Sequence, residues 1–240
     1  MKRMMEPVNV AGGLPPGSDR QGRGMVAIVD YGGGNVRSVA NAVSRLGYRS
    51  RVTGNAGDVV SAAAVILPGV GAAADTMRQL ERSGLSGAVR QVVTDNRPLL
   101  AICVGMQVLL DSTEEGGRHD CLGLIPGAVR RLPPGLKVPH IGWNQVKQKV
   151  RHAIFEGIPD EADFYFVHSY YADPEDESVV AATTEYGITF CAAVVCGNLV
   201  ATQFHPERSG EHGLRMYRNF LNMALSVKES KHEDQVRDHR

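Results

Sequence analysis

The chain has 240 residues, with 26 Lys and Arg against 26 Asp and Glu, so its formal charge is zero. A nucleic-acid binder that neutralises phosphates needs a clustered basic surplus and is excluded. Wholesale disorder is excluded as well, because 43% of residues are hydrophobic and only 22% charged. Glycine is the outlier, at 27 residues against an ordinary share of about 7%. That excess predicts many tight strand-to-helix turns with backbone brought close to other groups.

Residues 1–24 show no apolar period and no secretory core of about 7–15 apolar residues. They are expected to form a disordered N-terminal extension, with Met25 the natural start of the fold. Residues 228–240 carry eight charged side chains in thirteen and are expected to be a solvated tail. The remaining 25–227 suits a single domain. No run reaches the ~18 apolar residues of a membrane span. Cys103, Cys121, Cys191 and Cys196 form neither a CxxC pair nor a zinc-ligand spacing. Apart from Cys103, they are expected to be buried small hydrophobes in a reducing cytoplasm.

In chain order, 25–30 is a continuous apolar run, as a strand buried on both faces would be. Gly32-Gly33-Gly34 turns the chain, Asn35 is placed to cap a helix carrying Val36, Val39, Val43 and Leu46, and Gly47 ends it. A second strand at 64–67 stops at Pro68-Gly69-Val70-Gly71, with helical segments after it. A third at 99–102 leads into a helix through Val108, Leu109 and Leu110. This alternation predicts a parallel sheet covered on both faces. The second half is richer in strands, at 128–132, 138–147, 163–168, 179–184, 188–196 and 199–204. A last amphipathic helix is predicted at 213–225. Arg37 stands where a dinucleotide fingerprint would need its third glycine, so no such cofactor is expected.

The informative stretch runs from Pro98 to Leu110. A strand enters, a helix leaves, and Cys103 sits at the corner between the small residues Ala101 and Gly105. That is the spacing of a nucleophile elbow with cysteine in place of serine. A helix N-terminus there would favour thiolate, and the Val104 N–H would face a developing oxyanion. A buried structural cysteine is the plain alternative. The strand ending in His205-Pro206-Glu207 tips the balance. In extended chain, residues two apart project to one side, so Glu207 can orient His205 as the base for Cys103. A metal reading through His205, Glu207 and His212 lacks further suitably spaced ligands, and no metal is expected.

Pro68-Gly69-Val70-Gly71, Cys103 and His205-Pro206-Glu207, in that order, resemble the class I glutamine amidotransferases. A narrower resemblance is to the family's glutaminase subunits in histidine biosynthesis. It rests on 30–35, 67–71, Cys103-Val-Gly-Met-Gln107, Pro139-His-Ile-Gly-Trp-Asn144, Tyr165-Phe-Val-His-Ser-Tyr170 and 203–207. The resemblance spans about 25–227. It implies an α/β, flavodoxin-like fold: a central, mostly parallel sheet with flanking helices and extra antiparallel strands in the second half. It further implies that glutamine forms a thioester with Cys103, with the oxyanion held by backbone at Val70, Gly71 and Val104. Gly71, Gln107, Glu115, Ser169 and Tyr170 would hold the substrate's polar ends. Gln107 lies one helical turn past Cys103 and Glu115 two turns further, which would place both on one groove.

The implied partner is a separate (β/α)₈-barrel cyclase subunit, which receives ammonia and makes imidazole glycerol phosphate and aminoimidazole carboxamide ribotide. Asn35, Tyr165 and Arg208 are the candidate interface residues, and no cofactor is implied. Ala101 departs from a common glycine and Arg208 from a common lysine. Trp143, the only tryptophan, is expected in the core or at an interface. Three competing readings are a stand-alone cysteine γ-glutamyl hydrolase, a degenerate binding subunit, and an amidotransferase subunit of another pathway.

Overall fold

The computed structural model describes residues 24–237. Of the expected extension and tail, residues 1–23 and 238–240 lie outside the described residues. The chain begins β1 (Val26–Val29), α1 (Val36–Arg45), β2 (Ser50–Thr53), α2 (Ala56–Ser61), β3 (Ala64–Gly69), α3 (Ala73–Arg82), α4 (Leu85–Thr94), β4 (Leu99–Cys103) and α5 (Val104–Gln107). It continues through β5 (Ser112–Thr113), β6 (His119–Asp120), β7 (Gly127–Arg131), β8 (His140–Gln148), β9 (Ala162–His168) and β10 (Tyr170–Pro174). Last come β11 (Val180–Glu185), β12 (Thr189–Cys196), β13 (Leu199–Thr202) and α6 (Gly210–Arg237).

One sheet has the order β2-β1-β3-β4-β13-β12-β11-β8-β9. Its first five strands are parallel, and the other four continue antiparallel. Strands β1, β3, β4 and β13 are buried at every position. That explains their unbroken apolar runs, because helices cover both faces of a parallel sheet. Contacts join α1 to α6, and α2 and α3 to α4. The expected α/β, mostly parallel architecture is present, and so are the expected antiparallel additions. A second sheet, β10-β7-β5-β6, was only partly legible, since β5 and β6 are two residues each.

Several elements differ from the sequence expectation. The helix after Cys103 is a single turn that stops at Gln107, so Val108 to Leu110 lie beyond it. Apolar side chains there face the core in a turn as readily as in a helix, and all three are fully buried. The strand 199–204 ends at Thr202. The last helix runs Gly210–Arg237 rather than 213–225, entering most of the expected tail. Asn35 precedes α1 but makes no side-chain cap hydrogen bond. Cys121 and Cys191 are buried as expected, whereas Cys196 is exposed, next to the tight turn between β12 and β13.

The C-terminal ends of β3, β4 and β13 converge at one rim. That is the rim where open parallel sheets carry their sites.

Candidate active site

Strand β4 ends on Cys103, which has φ 55 and ψ −110 and is 3% exposed. A non-glycine residue held there costs about 1–3 kcal/mol and persists only where its surroundings over-determine it. They do so by interlocking backbone. A Cβ on Gly105 would lie 2.2 Å from the Leu67 carbonyl oxygen, and one on Gly69 would lie 2.2 Å from the Gly105 nitrogen. Glycine at both positions lets the elbow press against β3. The expected macrodipole at Cys103 is a correction: one turn of four residues aligns too few peptide dipoles to supply it. Charge near the sulfur comes from His205.

His205 is extended and leads into a 3₁₀ turn, Pro206–Arg208. Pro206 occupies its first position, where a fixed φ suits the helical start. Glu207 therefore reaches His205 from a 3₁₀ turn, and not along extended chain. The separation is still short, 2.8 Å from His205 Nδ1 to Glu207 Oε1, with both side chains almost wholly buried. Burial works to lower the imidazole's pKa. Cys103, and then Glu207, outweigh it and push it up to about 10, so Nδ1–H donates to the carboxylate. Nε2 is buried without a hydrogen-bond partner, the ring atom left over for Cys103. The Cys103 sulfur is the leading influence that raises the ring's pKa.

A folded pKa raised above the ordinary 6.5 has a definite sign in stability. The contribution is complete below about pH 6.5, declines as pH rises, and is gone above about pH 10. The urea midpoint advantage of the wild type over His205→Gln is expected to shrink across that window. An advantage that grew with pH would contradict the protonated imidazole.

Around Cys103, Gln203 Nε2 lies 3.6 Å from the Sγ, and the Val167 carbonyl oxygen 3.9 Å from it. Gln107 Nε2 donates to the Tyr170 carbonyl at 2.8 Å and to Gln203 Oε1 at 3.1 Å. Gln203 was given no role from sequence. Its signal was its place two residues before His205, on the same side of extended chain.

Glu115 does not reach the site along a helix, because α5 stops at Gln107. It follows β5, and its Oε2 accepts from the Ala73 N–H at 2.8 Å at the start of α3. Tertiary structure thus brings it to the start of α3, two residues past Gly71 in the chain, by another route. Ser169 links β9 to β10, and Tyr170 opens β10. Val70 is exposed, and Gly71 sits at φ 85, the left-handed region that favours glycine. Val104 opens α5 directly after the thiol.

Of the interface candidates, Arg208 lies over the Tyr165 ring at 4.1 Å from its centroid, within cation–π range. Trp143 meets Tyr165 edge-on at 6.1 Å and is 57% exposed, beside Ile141 at 58%. At that exposure Trp143 is not a core residue, which leaves the interface as the expectation for it. Asn35 follows a loop whose Gly34 packs against Pro68, at the mouth of the 68–71 turn.

The model of glutamine amidotransferase class-I matches residues 27–224. The chain belongs to the class I glutamine amidotransferase family. Among curated relatives, imidazole glycerol phosphate synthase subunit HisH of Dehalococcoides mccartyi is 59% identical over 204 residues, covering 85% of this chain and all of the relative. The subunit of the same name in Moorella thermoacetica is 52% identical over 195 residues, covering 81% of this chain and 93% of that one. The structure of PurLQS from Thermotoga maritima superposes with a TM-score of 0.67 at 19% identity, covering 84% of this chain and 99% of that chain. At that identity the match speaks for the fold alone. The rim that gathers Cys103, His205 and Glu207 is therefore the candidate glutaminase centre of a class I glutamine amidotransferase.

Proposed function

We propose that this amidotransferase is the glutaminase subunit of an imidazole glycerol phosphate synthase, acting in histidine biosynthesis. It hydrolyses L-glutamine to glutamate and ammonia, and the ammonia passes to a (β/α)₈-barrel cyclase subunit. The observation that carries the chemistry is the strained Cys103 beside a buried imidazole whose pKa is pushed up to about 10 and which pairs with Glu207 at 2.8 Å.

In this mechanism the Cys103 thiolate, its proton held by His205, attacks the side-chain amide carbon of glutamine. The carbonyl oxygen becomes an oxyanion, held by backbone N–H groups at the 70–71 turn and at Val104. His205 gives its proton to the departing nitrogen, the carbon–nitrogen bond breaks, and ammonia leaves a thioester on Cys103. Water then loses a proton to His205 and attacks the thioester. Glutamate departs with sulfur as the leaving group, and the thiolate–imidazolium pair that began the cycle is restored. Glu207 keeps the imidazole oriented and stabilises its charge throughout. Glu115 supplies a carboxylate for the substrate ammonium, and Gly71, Gln107, Ser169 and Tyr170 line the remaining polar ends. No step calls for a metal or a cofactor.

Val70, Ile141 and Trp143 are exposed around this rim, and Tyr165 with Arg208 sits among them. This apolar surface favours a subunit over the stand-alone hydrolase, which has no use for it. Among the described residues no helix is long and apolar enough to cross a membrane. The deciding experiment compares glutaminase turnover of the isolated chain with that of a mixture with the cyclase. Adding the cyclase is expected to raise turnover by about tenfold or more, within the ordinary span of coupling between sites. A high rate that the cyclase leaves unchanged would instead identify a free hydrolase.

A further inference from the structure

Two sequence motifs have had no full role so far, 139–144 and 165–170. The fold lays them side by side as β8 and β9, with His140 directly opposite His168. Both rings are buried, at 3% and 6% exposure. Their hydrogen bonds decide which nitrogens carry protons. His168 Nδ1 lies 2.9 Å from the Tyr170 carbonyl, which can only accept, so Nδ1 is protonated and Nε2 accepts. His140 Nδ1, 3.0 Å from that Nε2, must then donate. His140 Nε2 is left to accept from Asn144 Nδ2 at 3.3 Å. All three bonds point one way: Asn144 to His140, His140 to His168, His168 to the Tyr170 carbonyl.

Burial holds His168 down at about 3 and lowers His140 as well, so both rings are neutral at ordinary pH. The Tyr170 carbonyl also accepts from Gln107, which touches Gln203, whose amide reaches Cys103. The line of contacts therefore runs from β8 to the nucleophile. Along β8, alternate residues face opposite sides. His140 and Asn144 share the inner face, while Ile141 and Trp143 occupy the outer one, where they are exposed.

We propose that His140 and His168 are positioning residues: their one-directional hydrogen-bond relay holds the Tyr170 carbonyl and the Gln107 amide at the glutamine pocket, and ties both to the strand whose outer face receives the partner. This rests on the reading of the chain as a partnered glutaminase. His140 itself is clamped between Tyr186 and Phe166, stacked at 4.0 and 5.0 Å. The relay is thus a rigid element that a shift of β8 moves as a unit.

The test uses the full chain with its cyclase and the variants His140→Phe and His140→Asn. Phenylalanine keeps the stacked ring and removes both nitrogens. Asparagine restores an N–H near the position of Nδ1, and with it the donor to His168. His140→Phe is expected to lower glutaminase kcat/KM about tenfold, mainly through KM, and His140→Asn to recover it to within about threefold. Ammonia-dependent synthesis is expected to stay at the wild-type level in both. Asn144→Ala removes the outermost link, together with the Asn144 bonds to the Glu185 carbonyl and the Gln145 N–H, and is expected to give a loss of about threefold in the same direction.

The rate at which a glutamine diazoketone labels Cys103 gives a second readout that needs no cyclase, and it should follow the same order. Equal impairment of the Phe and Asn variants, in step with lowered Tm, would overturn the relay as a positioning device. So would wild-type kcat/KM and labelling in His140→Phe. A wild-type complex that labels normally but makes no product from glutamine would instead overturn the functional reading, leaving the labelling order to judge the relay.

Discussion

Cys103→Ala is expected to abolish glutamine-dependent synthesis by the assembled enzyme, a loss of about a thousandfold or more, while synthesis from added ammonia continues unchanged. The magnitude follows from the chemistry. Without the sulfur no thioester forms, and the oxyanion donors and His205 have no nucleophile to assist. The selectivity follows from the division of labour, because ammonia supplied from solution bypasses the glutaminase centre. Truncating the side chain leaves a small buried void but keeps the alanine-sized Cβ, so the partner surface on β8 and β9 should survive. Parallel assays with glutamine and with ammonium salts read the outcome. Equal loss of both activities would remove Cys103 from its proposed role and point to a structural one.

Gly105→Ala is expected to damage both stability and turnover. The added Cβ would stand 2.2 Å from the Leu67 carbonyl oxygen, far inside van der Waals contact, and the obstacle is backbone in β3 that cannot rotate away. Overpacking of this kind costs about 1–3 kcal/mol. The elbow relieves the clash only by moving off β3, which carries Cys103 away from His205. A displacement on the order of 1 Å at reacting atoms costs about a hundredfold in rate. Urea denaturation and glutaminase kinetics should therefore both change, the second more than the stability loss explains. Gly87→Ala is the matched control, since a Cβ there in α4 meets nothing within 4 Å. A wild-type rate in Gly105→Ala would show that the close approach of β3 and the elbow is not needed.

The departures of this chain from its family's common residues fit the same geometry. Ala101 is fully buried within β4 and pairs with Leu67 in β3 and Ala201 in β13. A methyl group is accommodated between those strands, so the elbow closes without glycine. Arg208 lies over the Tyr165 ring with its Cζ 4.1 Å from the centroid, where a planar guanidinium can stack and a lysine ammonium would act only as a point charge.

What the sequence determined by itself is local. Strands β1, β3, β4 and β13 were legible because a strand buried on both faces must be apolar without interruption. The elbow was legible because a corner residue at φ 55 demands small neighbours at fixed offsets. The His205–Glu207 pair was legible because two residues of separation keep them within reach whether the chain is extended or turned. Even part of the glycine excess acquired addresses, at Gly69, Gly71 and Gly105, each for a separate steric or conformational reason.

Tertiary structure decided the contacts whose partners are far apart in the chain. Gln203 reaches Cys103 across 100 residues, His140 meets His168 across 28, and Glu115 binds the Ala73 N–H across 42. No local pattern encodes such pairings. They depend on strand register, which is set only when the whole sheet assembles and each strand's apolar face finds the core. Glu115 makes the point most plainly: helical spacing alone expected it on the groove, whereas it follows a short strand of the second sheet and binds the start of α3. The candidate nucleophile was written in the chain, and the pocket around it was written in the pairing of strands.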